Sequence, residues 1–498
     1  MITSLSLAPY NYFILNFLTF TLFFIFLVKK LKQHKNKKLF FLYGWLFGFG
    51  YFVTNLYWIS ISLTFDQNFK FLAPFASILI PAFIALFYGL ISLFFIILTT
   101  KKIFISFLIF SLIFGVVEFI RGSILSGFPW NLIVYSFSKE LELLSITSII
   151  GTYGLNLFCI SLFTCPALLI LKNSKQNLAA CIFFLCSFGV FYIYGHIYKV
   201  KFYEVNSKFK EYKLRIVGSN ISLDRFYSNI DKTLIVEDLI KLSSPKKNEK
   251  IIFIWPEGIL PNISEEEMIK YISLFEQNFS ENHFLIIGNN TQLINDGSIS
   301  YFNSLSVYDN KLNLLDVYNK INLVPFGEFL PFENILKNFG LKSLTNNYQS
   351  FSRGTSRKSL EIKQSNFSIK ILPLICYEII YSGKLFKNPN FDLIINVSED
   401  GWFGQSNGPK QHFDHSIIRA IESGKYVLRS SNNGISAIIN PLGIVEQRIN
   451  FGQSGYLEFF ESKEIQPTIF SIYGNKIFGL LILMYIFLIF SFNKIKHE

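Results

Sequence analysis

A chain of 498 residues in which 51% are hydrophobic and 18% aromatic is too apolar for a soluble enzyme of ordinary composition. Its formal charge of +12 would suit a nucleic-acid partner, but the densest lysine run, Lys29 to Lys38, abuts hydrophobic spans and reads as topogenic charge, so no nucleic acid is expected. Cys159, Cys165, Cys181 and Cys186 lie in apolar segments, which leaves Cys376 without a partner for an internal disulfide in the soluble part.

The apolar residues concentrate between Tyr10 and Ile197 and again between Pro467 and Phe492. We therefore divide the chain into about six transmembrane helices over 1–197, a soluble domain over 198–466, and a last transmembrane helix with its tail over 467–498. Crossing a hydrocarbon core of about 30 Å takes roughly 20 apolar residues. Seven stretches qualify: Tyr10–Val28, Leu39–Leu63, Phe71–Thr99, Ile103–Ile120, Leu143–Leu171, Leu178–Ile197 and Ile469–Phe492. Lysines cluster after the first, after the third (Lys101, Lys102), after the fifth (Lys172, Lys175) and after the last (Lys494, Lys496). Alternate loops are thus basic, and the positive-inside rule places the soluble domain outside the cytoplasm. The first span has no cationic leader and no small-residue cleavage site, so it is not read as a removable signal peptide.

Where the fourth span emerges, Glu118 and Arg121 stand three apart on one helical face and are expected either to pair or to contact lipid headgroups. Gly151-Thr-Tyr-Gly154-Leu-Asn156 in the fifth span reads as a place of close helix packing.

In the soluble part, β-rich runs at Leu214–Val217, Ile251–Ile254, Phe284–Ile287, Ser304–Tyr308, Ile369–Ile375, Leu393–Val397, Tyr426–Ser430 and Ile435–Ile439 alternate with helical stretches. The helices expected are Asp224–Leu242, Glu265–Asn278 and Gln411–Ser423, the last with Phe413, Ile417, Ala420 and Ile421 on one face. Sheets covered by helices follow. Three positions carry reactive groups: Trp255-Pro-Glu257 after one apolar strand, Cys376-Tyr-Glu378 after another, and Tyr318-Asn-Lys320, with Glu328, around a Pro-Phe-Gly327 turn. Taken singly, a cysteine after an apolar strand is usually an inert core residue, Glu257 could serve a helix N-terminus and Lys320 could be a solvated charge. Their joint appearance in this order is what points to chemistry.

At these residues the sequence resembles the nitrilase, or carbon–nitrogen hydrolase, superfamily, marked by a Glu-Lys-Cys triad on an αββα sandwich. With the surrounding helices it is similar to the apolipoprotein N-acyltransferase family. The ordered set that carries this is Trp255-Pro-Glu257, Tyr318-Asn-Lys320, Leu323-Val-Pro-Phe-Gly-Glu328-Phe, Ser352-Arg-Gly354, Ile375-Cys376-Tyr-Glu378-Ile, Asn396-Val-Ser398, Trp402-Phe-Gly404, Gly408-Pro409, Gln411-His412, Arg419-Ala, Leu428-Arg429 and Asn432-Asn-Gly434, with Gly127-Phe-Pro-Trp130 in the apolar part. Two departures stand out. The family's Gln-Gly-Asn-Ile is here Gly218-Ser219-Asn220-Ile221, and Leu7-Ala-Pro-Tyr10 resembles the loop after the first of the family's usual eight helices, so one helix is expected to be missing.

The resemblance implies a polytopic α-helical membrane domain joined to an α/β nitrilase-like αββα sandwich on the periplasmic side of a bacterial inner membrane. It implies an enzyme with Glu257 as general base, Cys376 as nucleophile, and Lys320 with the Tyr377 N–H as oxyanion donors. Glu328 is expected to orient Lys320 or the incoming amine, and Glu378 to brace the site. The implied cycle is ping-pong, from a phospholipid acyl donor to the α-amine of a diacylglyceryl-cysteine on an apolipoprotein. Phe326, Phe329, Phe332, Trp402, Phe403 and Asn396 are read as a lipid-facing entrance, with ordinary core packing as the alternative for each. No metal or other cofactor is expected: there is no Gly-rich phosphate loop, and His412 and His415, three apart, are read as structural. The competing readings are a membrane-anchored amidase of the same superfamily and a transporter with a binding ectodomain. The spans lack the paired broken helices and the chain of intramembrane charges of a transporter.

Overall fold

The computed structural model describes residues 1–227, 231–260, 265–295, 298–336, 338, 350–364, 367–385 and 390–494. Among them, seven helices are long and apolar enough to cross a membrane: Ile14–Gln33, Lys37–Thr64, Lys70–Leu98, Ile103–Arg121, Thr147–Leu171, Lys175–Glu204 and Lys476–Lys494. Each overlaps one expected span. The second is α-helical only to Leu56 and tightens into a 3-10 helix over Tyr57–Thr64. The expected seventh span is divided in two, a short helix Ile469–Tyr473 and the long Lys476–Lys494, because Gly474 adopts φ +56 between them.

The charged pair within the fourth span is matched internally. Glu118 and Arg121 pair with each other, with Arg121 Nε donating to Glu118 Oε2 at 2.8 Å and both side chains buried. In the fifth span Gly151 stands at φ 69°, ψ 173°, a kink that only glycine adopts readily. A Cβ there would lie 2.0 Å from the Phe470 ring, and one on Gly154 would lie 2.9 Å from Leu481, so the final segment packs closely here. Gly151→Ala is therefore expected to destabilise the fold by at least about 1–3 kcal/mol, seen as a lower thermal midpoint in detergent.

The rest of the chain forms two six-stranded sheets, β1 (Lys208–Gly218) to β12 (Gly455–Ser462), in the orders β12-β1-β2-β3-β4-β5 and β11-β10-β9-β8-β7-β6. In the first sheet β2 (Ile251–Ile254) lies between β1 and β3 (His283–Asn295), parallel to both. In the second, β7 (Phe367–Ile375), β8 (Leu393–Glu399) and β9 (Val427–Asn432) run parallel. These strands read as continuous apolar runs because both faces are covered. Ile252 and Ile254 point into a core shared with Ile371, Ile375, Ile395 and Leu428 of the facing sheet. Ile251, Phe253 and Trp255 point the other way, onto the helix Lys232–Ser243 through Val236 and Leu239.

The outer face of the second sheet ties the domain to the membrane helices. Leu372, Leu374, Ile394 and Val427 pack on Phe413, Ile417 and Ile421 of the helix Gly408–Ser423, and this core is continuous with that of the membrane helices. At the seam Glu422 Oε1 accepts from the Thr152 N–H at 2.8 Å and from the Ser382 hydroxyl at 2.6 Å. Trp130 Nε1 donates to Gln411 Oε1 at 2.9 Å.

The structure revises the expected elements in two places. The helix expected over Asp224–Leu242 begins only at Lys232, preceded by a 3-10 turn at Leu223–Phe226. The one expected over Glu265–Asn278 is broken into Glu265–Met268, a 3-10 turn and Ile272–Asn278.

Candidate active site

Three strand ends converge. Glu257 follows β2 after Pro256, Lys320 follows β5 (Leu314–Asn319), and Cys376 follows β7. Gly288 permits the first of these, since a Cβ there would lie 2.5 Å from the Pro256 carbonyl and 2.6 Å from the Glu257 Cα. Gly354 does the same beside β5, where its N–H donates to the Lys320 carbonyl at 2.9 Å and a Cβ would lie 2.1 Å from the Asn319 carbonyl.

Lys320 is fully buried, its Nζ 3.1 Å from Glu257 Oε1 and 2.8 Å from Glu328 Oε1. Burial alone would lower its proton affinity, but the two carboxylates outweigh burial and hold it above the usual lysine range. Asn303 joins the two acids, donating Nδ2 to Glu257 Oε1 at 2.8 Å and to Glu328 Oε1 at 2.6 Å. The outer oxygens are also satisfied, Glu257 Oε2 by the Glu399 N–H at 3.0 Å and Glu328 Oε2 by the Val324 N–H at 2.8 Å. Burial and then the Glu257 charge raise the Glu328 carboxyl, against the pull of Lys320.

Cys376 is buried and sits at φ +47, left-handed for a non-glycine residue, as the first residue of the 3-10 helix Cys376–Ile380. Burial pushes its thiol well above the usual range and the Glu257 charge adds to this, while Lys320 pulls it down. Cys376 thus lies within the electrostatic reach of one carboxylate and one cation, with the raising effects prevailing. Tyr377 is the second residue of that 3-10 helix, where a backbone N–H has no intrahelical acceptor. Tyr377 itself is anchored through its hydroxyl to the Gly127 carbonyl at 2.7 Å.

Glu378 holds the two loops in register. Its Oε1 accepts from the Tyr318 hydroxyl (2.8 Å), the Ile321 and Asn322 N–H groups (3.0 and 3.1 Å) and Arg357 Nη2 (2.9 Å), and its Oε2 accepts from the Ile375 N–H at 3.0 Å. Burial would raise this carboxyl, but Arg357 and the backbone donors prevail and hold it below the usual range.

The residues expected at an entrance divide. Phe326 and Phe332 are exposed on the loop after Lys320, both at positive φ (+63 and +52), and Phe329 lies under Arg353 at 5.2 Å. Trp402 meets Phe226 at 5.1 Å and Phe65 at 6.1 Å, bridging the soluble domain and the second-to-third span connection. Phe403 packs edge-on against Trp58 at 4.7 Å. Asn396 is a correction: it is fully buried inside β8, where Nδ2 donates to the Leu374 carbonyl at 3.1 Å and Oδ1 accepts from Arg429, so it faces no opening.

Two residues that meet this site from a distance in the chain are Asn303, absent from the expected set, and His412, expected to be structural. His412 is buried with Nδ1 2.9 Å from Asp400 Oδ1 and Nε2 3.2 Å from the Cys376 carbonyl oxygen. Neither carries a local pattern that reveals a long-range contact. Since Asn303 is a shared donor to two buried carboxylates, Asn303→Leu is expected to cost about 1.5–3 kcal/mol per lost charged hydrogen bond, measured as a lower unfolding midpoint together with slower turnover.

Two packed sheets with a cysteine and a carboxylate–lysine pair at their strand ends, set on membrane helices, define a membrane-bound member of the carbon–nitrogen hydrolase class, and residues 225–457 match the family model Carbon-nitrogen hydrolase. Residues 1–165 match the Apolipoprotein N-acyltransferase N-terminal domain. The chain is 32% identical over 445 residues to an apolipoprotein N-acyltransferase of Rickettsia prowazekii, covering 87% of this chain and 86% of the relative. It is 31% identical over 474 residues to that of Rhizobium leguminosarum, covering 91% and 87% respectively. Among solved structures, Saccharomyces cerevisiae Nit3, of the nitrilase superfamily, aligns with 50% of this chain and 90% of its own at 16% identity and a TM-score of 0.34. The chain belongs to the apolipoprotein N-acyltransferase family.

Proposed function

We propose that this protein transfers a fatty acyl group from a membrane phospholipid, through a thioester on Cys376, to the α-amino group of an N-terminal diacylglyceryl-cysteine on apolipoproteins. The observation that carries this reading is the left-handed Cys376 set within the field of the buried Glu257–Lys320 pair, in a domain whose outer sheet face packs on membrane helices.

In acylation, Glu257 takes the Cys376 proton as sulfur attacks the ester carbonyl of the phospholipid. Lys320 and the Tyr377 N–H stabilise the oxyanion, each such donor contributing about 3 kcal/mol. Collapse breaks the C–O bond, and Glu257 returns the proton to the leaving alkoxide, releasing a lysophospholipid. In the second half the amine attacks the thioester, Glu257 removes its proton and passes it to the sulfur as the C–S bond breaks, which regenerates the thiol and the Glu257 carboxylate. Glu328 fixes Lys320, and Glu378 braces the two loops. Both substrates keep their chains in the bilayer, since withdrawing each CH₂ costs about 0.8 kcal/mol. The alternation of basic loops supports a domain on the periplasmic side.

The test is incubation of purified full-length protein with phospholipid carrying a labelled acyl chain. A hydroxylamine-sensitive label on Cys376, chased onto a diacylglyceryl lipopeptide and absent in Cys376→Ser, is the expected result. Ammonia release from small amides with no label transfer would instead establish an amidase.

A further inference from the structure

We propose that His412 is a positioning residue for acyl transfer: its Nε2–H holds the Cys376 carbonyl and thereby aims the Tyr377 N–H at the oxyanion. The inference rests on Cys376 being the acyl carrier. The Cys376 carbonyl and the Tyr377 N–H belong to one planar trans peptide and point in opposite directions. Anchoring the oxygen therefore fixes the direction of the hydrogen. The anchor matters here because Cys376 sits at φ +47, where a non-glycine backbone stays only if its surroundings hold it.

The ring offers Nε2 to the carbonyl oxygen at 3.2 Å. Its Nδ1 lies 2.9 Å from Asp400 Oδ1 and 3.0 Å from Arg429 Nη2. Arginine only donates, and a carbonyl only accepts. A neutral ring accepting from Arg429 carries its proton on Nε2, and so does an imidazolium donating to Asp400. The neutral Nε2–H ring leaves Nδ1 2.9 Å from Asp400 Oδ1, two acceptors bridged by Arg429 Nη2 at 3.0 Å from each, whereas the remaining tautomer would set Nδ1–H against an Arg429 N–H and the Nε2 lone pair against the carbonyl lone pairs with no donor between. Burial and the Arg429 charge favour the neutral ring.

The imidazole is itself held rigidly. Asp400 is bound by Arg429 Nη2 at 2.8 and 3.0 Å and by the Ser398 hydroxyl at 2.7 Å. Trp130 stacks on the ring at 5.2 Å and Phe403 meets it edge-on at 5.5 Å. Trp130 follows the fourth span, so packing from the membrane part bears on the group that aims the donor. As the ester carbonyl becomes an oxyanion, the Tyr377 N–H shortens onto it, and the bond from His412 to the same peptide polarises that N–H further. No bond to His412 forms or breaks.

The test compares His412→Leu, His412→Gln and His412→Asn in the full-length protein. One readout is single-turnover acylation by vesicles of phosphatidylethanolamine bearing a labelled acyl chain. The other is alkylation of Cys376 by iodoacetamide, a displacement that builds no oxyanion. His412→Leu should slow acylation about 100-fold, the scale of a lost oxyanion donor, with the alkylation rate retained. Gln, whose amide reaches the Nε2 position, should recover roughly tenfold, and the shorter Asn should not. If the Leu variant does not fold, the Gln-to-Asn ratio decides alone. Unchanged acylation in the Leu variant, parallel loss of acylation and alkylation, or Gln no faster than Asn would each overturn the inference. Absence of label on wild-type Cys376 would instead reject the acyl-carrier reading beneath it.

Discussion

Glu257→Gln is expected to slow formation of the Cys376 acyl-enzyme by about 10²–10⁴-fold, the range spanned by a positioned general base. The substitution is nearly isosteric, but the site is built for an acceptor at both oxygens. Oε1 receives Lys320 Nζ at 3.1 Å and Asn303 Nδ2 at 2.8 Å, and Oε2 receives the Glu399 N–H at 3.0 Å. A glutamine turned either way points its NH₂ at one of these donors, and it cannot take up a thiol proton. The variant should also change its response to pH. Burial is the largest cause holding the Cys376 thiol above the ordinary range, and it remains when the Glu257 charge, the second, is removed. Without an internal base the thiolate must come from solvent equilibrium, so residual acylation should climb about tenfold per pH unit across the alkaline range. Wild type should depend on pH much less steeply there. Single-turnover label transfer at several pH values measures both effects, and a Gln variant acylating at the wild-type rate would remove Glu257 from the mechanism.

How much of this could be read from sequence differs by layer. All eight expected strands lie within strands of the structure or overlap them, and those left out are β5, β6 (Leu360–Gln364), β11 (Val445–Ile449) and β12, which are the four edges of the two sheets. The reason is physical: interior strands are apolar on both faces, whereas β11, with exposed Glu446, Gln447 and Arg448, looks like loop. The breaks at Gly151 and Gly474 were not anticipated because hydropathy measures length and apolarity and is blind to one residue turning left-handed. In the site, Glu257 and Cys376 stand out in the sequence because each ends a recognisable apolar strand with a reactive group, whereas Lys320 follows the unrecognised edge strand β5 and stands out only through the Tyr318-Asn-Lys320 motif before its Pro-Phe-Gly turn. Asn303 does not stand out, since a polar residue in a strand looks alike whether it meets solvent or a buried carboxylate from 46 residues away. His412 was read as structural because two histidines three apart suggested only a metal, and its bond to the Cys376 carbonyl spans 36 residues.

Lys320→Met should damage the fold as well as the chemistry, and in a manner that depends on pH. Lys320 is the cation lying between Glu257 and Glu328, which also share the single Asn303 amide. Removing one partner of a buried ion pair strands the other, at a cost of about 3–5 kcal/mol, and here two carboxylates are stranded together. The cheapest relief is for one of them to bind a proton, and Glu328 is already raised by burial and by the Glu257 charge with Lys320 present. Without the lysine its proton affinity rises further. A carboxyl whose folded proton affinity exceeds the unfolded one contributes stability below its unfolded value, and that contribution is lost as pH rises through the folded one. The deficit of Lys320→Met relative to wild type should therefore be smallest below the unfolded carboxyl value of about 4.3 and widen as pH rises above it, as read by thermal unfolding in detergent. Acyl transfer should be absent across the whole range, because protonating a carboxyl relieves the repulsion but returns no donor to the oxyanion. A stability loss independent of pH would mean that the two carboxylates are not coupled through Lys320, and the assignment of Glu328 as the group that fixes it would fall.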